Sequence, residues 1–289
     1  MLRRILVTTS RTTPNVEPLL RLVNNVPVEE AVLAHCVESV LPDAARDEAA
    51  RRRAQADLDA WVAEAQPHTP VKLSSVVTLG IPAEQTIAAA RRLSIDTIVM
   101  SAFVSSPWEH YFLGSTAFEL IRNGRTNMLV LHPPGTNEQI AGGLRRPLLE
   151  HVLFPTDFSG FSLAAFECFA GVAQKGLGRV SLVHVQDVTH LQPHLMDRLT
   201  EFDAIDRERL NGLAHRLSDQ GIETDVHVEL GVPEQTVTRL ATVFDVSCIV
   251  IGSRGRSLSE VVRWGSVSER VVRGAECPVL VMRQRSRDE

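Results

Sequence analysis

Short, continuously apolar runs rich in Val, Ile and Leu alternate along the chain with longer stretches whose apolar residues recur every three or four positions. The first run, Ile5-Leu6-Val7, follows two arginines and closes in polar residues, so it reads as a β-strand rather than a leader segment. In the second half the runs fall at Val152–Thr156, Arg179–Val185, Glu223–Val228, Ser247–Gly252 and Val279–Met282. Helical spacing fills Phe161–Ala173, Leu199–Gln220, Glu234–Val243 and Val267–Arg273 between them. A strand that is apolar along its whole length must be covered on both faces. Such strands, each followed by a helix, predict a parallel sheet between two helical layers. Ligands in that architecture sit outside the carboxyl ends of the strands, where the strand order reverses.

The pattern is written twice, at an offset of about 150 residues. Leu79-Gly80-Ile81-Pro82 with Glu84-Gln85-Thr86 is answered by Leu230-Gly231-Val232-Pro233 with Glu234-Gln235-Thr236, with one residue of slip. Leu33–Val37 answers Leu182–Val185, Ile98–Ser101 answers Ile249–Gly252, Gly114-Ser115 answers Gly265-Ser266, and Met128–Leu131 answers Val279–Met282. A period this long indicates a duplicated domain. The helix- and strand-breaking residues between Pro133 and Pro147 mark the junction. The expected fold class is therefore α/β: two tandem doubly wound five-stranded parallel-sheet domains, Rossmann-like or flavodoxin-like, at 1–133 and 148–289, joined by a linker at 134–147.

Composition narrows the functional classes. The 289 residues carry a formal charge of −5, which provides no global attraction to nucleic acid or anionic membrane. No apolar run approaches the roughly 20 residues of a membrane span. The four cysteines, Cys36, Cys168, Cys248 and Cys277, show neither metal spacing nor C-x-x-C pairing. They are expected to be buried, inert thiols of a cytoplasmic protein.

The candidate chemistry follows the strands. Ile249-Val250-Ile251 runs into Gly252-Ser253-Arg254-Gly255, and Gly265-Ser266 opens a helix nine residues later. Glycine after a strand lets a ligand approach the main chain, and successive backbone N–H groups converge on an anion. Ser266 is expected to cap its helix, with Glu269 completing a capping box. The remaining first-turn N–H groups, Val267 included, favour negative charge. Arg254 supplies a charged donor. At the end of the first strand of this half, Pro155-Thr156-Asp157 places a carboxylate at the same crevice. Asp157 can accept hydrogen bonds from a ribose hydroxyl or an adenine amino group, and can also serve as a helix N-cap.

Gly252-x2-Gly255-x9-Gly265-Ser266, with Asp157, Val183-His184-Val185 and Cys277-Pro278-Val279-Leu280-Val281, resembles the nucleotide-binding pattern of the universal stress protein family. The layout of both halves is similar, so the resemblance covers nearly the whole chain and implies the universal stress protein fold. It implies ATP as cofactor. Mg2+ is an optional companion: no clear carboxylate cluster for it appears, though Asp157 could contribute one ligand. It places adenine near Asp157 and the Val185 backbone. Phosphates would lie on Gly252, Gly255, Gly265, Ser266 and Val267, with Pro155, Thr156, Ile251 and Arg254 alongside. It also implies dimerisation through the last strand, either between the halves, pairing Met128–Leu131 with Val279–Met282, or between chains.

The first half departs from this pattern. Ser101 stands where Gly252 stands, Val104 where Gly255 stands and Ser10 where Asp157 stands. A β-branched Val104 disfavours positive φ and fills phosphate space. Ser115 and Thr116, which precede Glu119, preserve only the helix end. One nucleotide per chain is therefore expected. A catalytic set is missing. No lysine follows the glycines as in a P-loop, and no nucleophile elbow is present. His184 on the second strand is expected to be a satisfied, half-buried histidine. His190 and His194, with Pro193 between them, do not make a metal motif. The charged run Asp43–Arg53 reads as the solvated face of a helix continuing to Trp61. The expected role is an ATP-binding stress-response or regulatory protein with little or no hydrolysis and an unidentified protein partner. A nucleotide-independent scaffold presenting Trp108, Tyr111 and Phe112 remains an alternative. So does an adenine-nucleotide hydrolase or transferase, and preference for AMP or a cyclic nucleotide over ATP stays open.

Overall fold

The computed structural model describes residues 2–9, 16–39, 44–101, 114–132, 144, 146–171, 177–189, 198–253 and 265–283. It divides into two units, Met1–Arg145 and Arg146–Glu289.

In the first unit the strands are β1 (Arg4–Thr8), β2 (Glu30–Glu38), β3 (Lys72–Gly80), β4 (Thr97–Ser101) and β5 (Asn127–Leu131). They pair in parallel in the order β3-β2-β1-β4-β5. Helices α1 (Val16–Asn25), α2 (Ala44–Ala65), α3 (Pro82–Arg92) and α4 (Ser115–Asn123) make the crossovers. The charged stretch expected to be helical lies in α2 from residue 44 on, and Asp43 lies outside the described residues. Leu58 and Trp61 are buried, while Arg51 and Arg52 both pair with Glu48 on the outside.

The second unit repeats the layout. Its strands are β6 (His151–Pro155), β7 (Arg179–Asp187), β8 (Glu223–Gly231), β9 (Cys248–Gly252) and β10 (Val279–Met282), ordered β8-β7-β6-β9-β10 and all parallel. Helices α5 (Gly160–Ala170), α6 (Leu199–Ser218), α7 (Pro233–Val243) and α8 (Ser266–Gly274) join them. Right-handed crossovers from this strand order put α5 and α6 on one face and α7 and α8 on the other. The packing of α7 against α8 agrees with that assignment. The continuously apolar runs are buried as expected: Val152, Leu153 and Phe154 in β6, and Ile249 and Val250 in β9, expose nothing. Phe154 anchors α5, with ring centroids 5.5 Å from both Phe166 and Phe169. Gly221 closes the turn after α6 at φ +80°, a conformation that a side chain disfavours.

On the α7 face of the sheet a polar chain ties three strands together. Ser181 Oγ lies 2.9 Å from His151 Nε2 and donates to Asp225 Oδ2 at 2.9 Å. Arg179 Nε also donates to Asp225, and His227 Nε2 lies 2.6 Å from it. Burial alone would raise the Asp225 carboxyl, but hydrogen bonds from His227, Arg179 and Ser181 outweigh it and hold the group below its usual range.

The thiols depart from expectation. Cys248 is fully buried, whereas Cys36, Cys168 and Cys277 keep partial exposure. All four are free, and burial raises the Cys277 thiol to about 12. Among the described residues, no helix is long and apolar enough to cross a membrane, and no cluster of three or more His, Cys, Asp or Glu is arranged to hold a metal ion.

Candidate functional site

The reversal of strand order in the second unit falls between β6 and β9. A cavity of 960 Å³ opens there, lined by Pro155, Thr156, Asp157, Val185, Ile251, Gly252, Ser266 and Val267 among others. Small-molecule sites occupy roughly 300–1,000 Å³. Eight of the expected site residues therefore meet at one place, from three strand ends and one helix. Gly265, buried, sits at the N-terminus of that helix. Arg254 and Gly255 lie outside the described residues, as do Ser10, Val104, Trp108, Tyr111, Phe112, His190 and His194.

Strand lengths create the crevice. β6 stops at Pro155, paired with Val183, and the Thr156 N–H still reaches the Val183 carbonyl at 2.8 Å. β7 runs on to Asp187. In a parallel strand the N–H and C=O of one residue point to the same side, and alternate residues repeat it. Val183 faces β6, so Val185 directs its N–H and C=O past the end of β6 into open space. A donor and an acceptor held side by side suit the edge of a heterocyclic base.

The turn after β6 is tightly determined. Thr156 Oγ1 accepts from the Phe158 N–H at 3.0 Å and from Ser162 Oγ at 2.9 Å, and Asp157 Oδ1 accepts from the Ser159 N–H at 3.0 Å. Phe158 is left at φ +57°, uncommon for a residue with a side chain. Ser159, not Asp157, caps α5, its side chain accepting from the Ser162 N–H. The carboxylate of Asp157 therefore sits one turn before the helix and lines the cavity.

The capping expectation at the other end is also corrected. Gly265, extended at ψ 142°, is the N-cap of α8, and Ser266 is its first helical residue. No side chain caps this helix, and no capping box forms; Glu269 Oε1 accepts instead from Arg273 Nε at 3.1 Å. The physical reason lies in the same turn. Ser268 Oγ donates to the Gly252 carbonyl at 2.7 Å, and the Gly265 N–H donates to the Ser253 carbonyl at 2.9 Å. These two bonds seat the helix end on β9 with Gly265 buried, and Ser266 faces outward. The same arrangement recurs in the first unit, where Gly114 is the N-cap of α4 and Ser115 is its first residue. First-turn N–H groups have no partner within their own helix, so an uncapped α8 turns them toward the cavity.

His184, and residues that the sequence did not single out, also line the site. His184 is buried rather than half-buried. Its Nδ1 lies 2.8 Å from the Thr156 carbonyl, which only accepts, so that nitrogen carries the proton. The Phe158 ring packs on it at 4.6 Å, and Arg209 lies over Phe158 at 5.3 Å. Asp206, on α6, accepts from Gln186 Nε2 at 3.1 Å and lies 3.5 Å from His184 Nε2. Glu234 at the start of α7 pairs with Arg270 of α8 at 2.8 Å. These partners come from helices whose spacing reports only an amphipathic face; which side chains turn toward a strand end depends on packing.

Two tandem doubly wound units, one with a strand-end cavity at its switch point, define a duplicated α/β protein with a candidate site in its second unit. The model of the universal stress protein family matches residues 1–132 and 149–283, and the chain belongs to that stress-response family. It is 27% identical over 144 residues to universal stress protein MJ0531 of Methanocaldococcus jannaschii, covering 47% of this chain and 84% of the relative. It is 30% identical over 139 residues to a putative universal stress protein of Staphylococcus aureus strain USA300, covering 46% of this chain and 84% of the relative. These matches extend over about half of this chain. A crystal structure of a universal stress protein from Archaeoglobus fulgidus is similar in fold over 97% of this chain and 98% of its own, with TM-score 0.72 and 22% identity.

Proposed function

We propose that the second unit binds an adenine nucleotide, ATP with Mg2+, as a regulatory ligand, and that the first unit binds none. One observation carries the proposal: a single cavity joins the free backbone edge of Val185, the Asp157 carboxylate and the uncapped first turn of α8. These are a base edge, a ribose acceptor and an anion site, in the order in which a nucleotide presents its parts. The described lining fits the group: apolar Val183, Val185 and Ile251 offer a surface for a purine, and backbone N–H groups offer one for phosphate. Asp157, Asp187, Asp206 and Glu234 outnumber Arg209 and Arg270 among the described lining residues. Such a wall favours a polyphosphate only when a cation offsets the carboxylates, which argues for Mg2+ as companion. Bound Mg2+ would neutralise phosphate charge, and Asp157 would be a candidate ligand among the described lining residues.

The first unit presents Ser101 at the strand end and Glu119 where α8 carries Arg270. A carboxylate in that position opposes an anion. No serine or cysteine nucleophile lines the described cavity beside an activating base, so turnover is expected to stay below about 1 s⁻¹, the low end for enzymes.

Calorimetric titration of nucleotide-stripped protein with ATP and Mg2+ tests the proposal. One site per chain, weakened about tenfold or more by Asp157→Ala, is the expected result. Two sites, or none at millimolar ATP, would overturn it.

A further inference from the structure

The Glu234–Arg270 pair lines the cavity from two helices, α7 and α8. Both residues line the cavity, with Arg270 Nη1 2.8 Å from Glu234 Oε1. Arg270 follows Ser266 by four residues, so the two share one face of α8. Helix side chains lean toward the N-terminus of their helix, which carries this guanidinium back over the first turn of α8. A guanidinium has five N–H donors, and the pair occupies one of them. Burial grades outward along the same turn: Gly265 and Ser268 are buried, whereas Ser266 and Arg270 are exposed. A phosphate chain entering past Gly252 would therefore bring its distal end to Ser266 and Arg270.

Glu234 is held differently. Its side chain is only 14% exposed, against 62% for Arg270. It lies in the first turn of α7, where the helix dipole favours a carboxylate, behind Pro233 at a helix start without a side-chain cap. The carboxylate is fixed, and the guanidinium it holds is solvent-screened and free to exchange partners. Glu234 thus presents a fixed carboxylate in front of Arg270.

We infer that this pair sets the selectivity of the site for phosphate number: Arg270 is the ligand of the distal phosphate, and Glu234 is the built-in anion that competes for it. The inference rests on the nucleotide reading of the cavity. The chain supplies its own comparison, because the first unit carries no arginine at the position of Arg270. Aligning Gly114-Ser115 with Gly265-Ser266 and Pro82 with Pro233 places Glu119 opposite Arg270 and Ala83 opposite Glu234, with Glu84, the residue that answers Glu234 in the repeat, one position further on. Glu119 lies within α4 and accepts from Asn123 Nδ2 at 2.5 Å. That unit carries a negative charge where the second carries the guanidinium.

Titrations of the full chain with AMP and with Mg2+-ATP separate the two ideas. Arg270→Gln is expected to lower ATP affinity about tenfold, a loss typical of one charge-assisted phosphate contact, and AMP affinity less than about twofold. Glu234→Gln is expected to raise ATP affinity about threefold, as removal of a competing charge would, with little change for AMP. Arg270 is exposed, so its substitution should leave the thermal midpoint close to the parent's, which checks folding independently. An unchanged ATP-to-AMP affinity ratio in Arg270→Gln would overturn the assignment of Arg270. Failure of Glu234→Gln to raise ATP affinity would overturn the competition and leave the pair as a brace between α7 and α8. Either result with AMP still bound refutes the pair's role alone, whereas a parent protein that binds neither nucleotide removes the nucleotide reading itself.

Discussion

Ser266 illustrates how one residue position separates two roles. A serine just after a glycine at the start of a helix suggests a cap, yet its first-turn place makes its backbone N–H the useful group. Proline is tolerated at the first helical position and removes only that N–H, as Pro233 shows at the start of α7. Gly265 is already extended, the conformation that proline demands of its predecessor. Ser266→Pro should therefore preserve helix α8, visible as unchanged circular dichroism, and weaken ATP about tenfold by loss of one phosphate donor. Unaltered affinity would place the phosphates elsewhere. Cys277 offers a second test at this scale. Burial raises its thiol from 9.0 to about 12, so the folded state disfavours the thiolate. Its contribution to stability is complete below pH 9 and is lost as pH rises from 9 toward about 12, because the unfolded chain releases the proton first. The fall in thermal midpoint between pH 9 and 11 should be shallower in Cys277→Ala than in the parent.

Among elements, the seating of α8 on β9 links stability to the site. The 2.7 Å bond from Ser268 to the Gly252 carbonyl is buried, so Ser268→Ala leaves an acceptor unpaired. A cost of about 1–3 kcal/mol is expected from denaturant unfolding of the chain. The same change should weaken nucleotide, because the helix end and the strand end would lose their fixed spacing. Loss of stability with unchanged affinity would show that the Gly265–Ser253 bond alone holds the cradle. The strands themselves, and the order in which helices separate them, follow from periodicity: both-face burial requires continuous apolar runs, and those runs were readable within a few residues at each end. The turn after β6 was not, since Phe158 adopts positive φ where its own N–H donates to Thr156 and the Ser159 N–H donates to Asp157, bonds that no local propensity announces.

For the whole molecule, duplication allows one copy to bind and the other to diverge. The proposed single nucleotide per chain follows from differences at equivalent positions: Ser101 for Gly252 at the strand end, and Glu119 for Arg270 on the helix. The sequence by itself determined the two-fold repeat, the parallel α/β architecture and the strand-end glycines and aspartate, because all of these are local patterns tied to one strand or one helix start. Tertiary structure alone decided which side chains face one another across the crevice. Glu234 and Arg270 lie on different helices, Ser268 and its acceptor lie on a helix and a strand, and only the packing of α7 against α8 and the seating of α8 on the end of β9 bring these groups within reach. Long-range contact of this kind leaves no period in the chain, since the positions that meet are set by helix rotation and strand length rather than by the residues beside them.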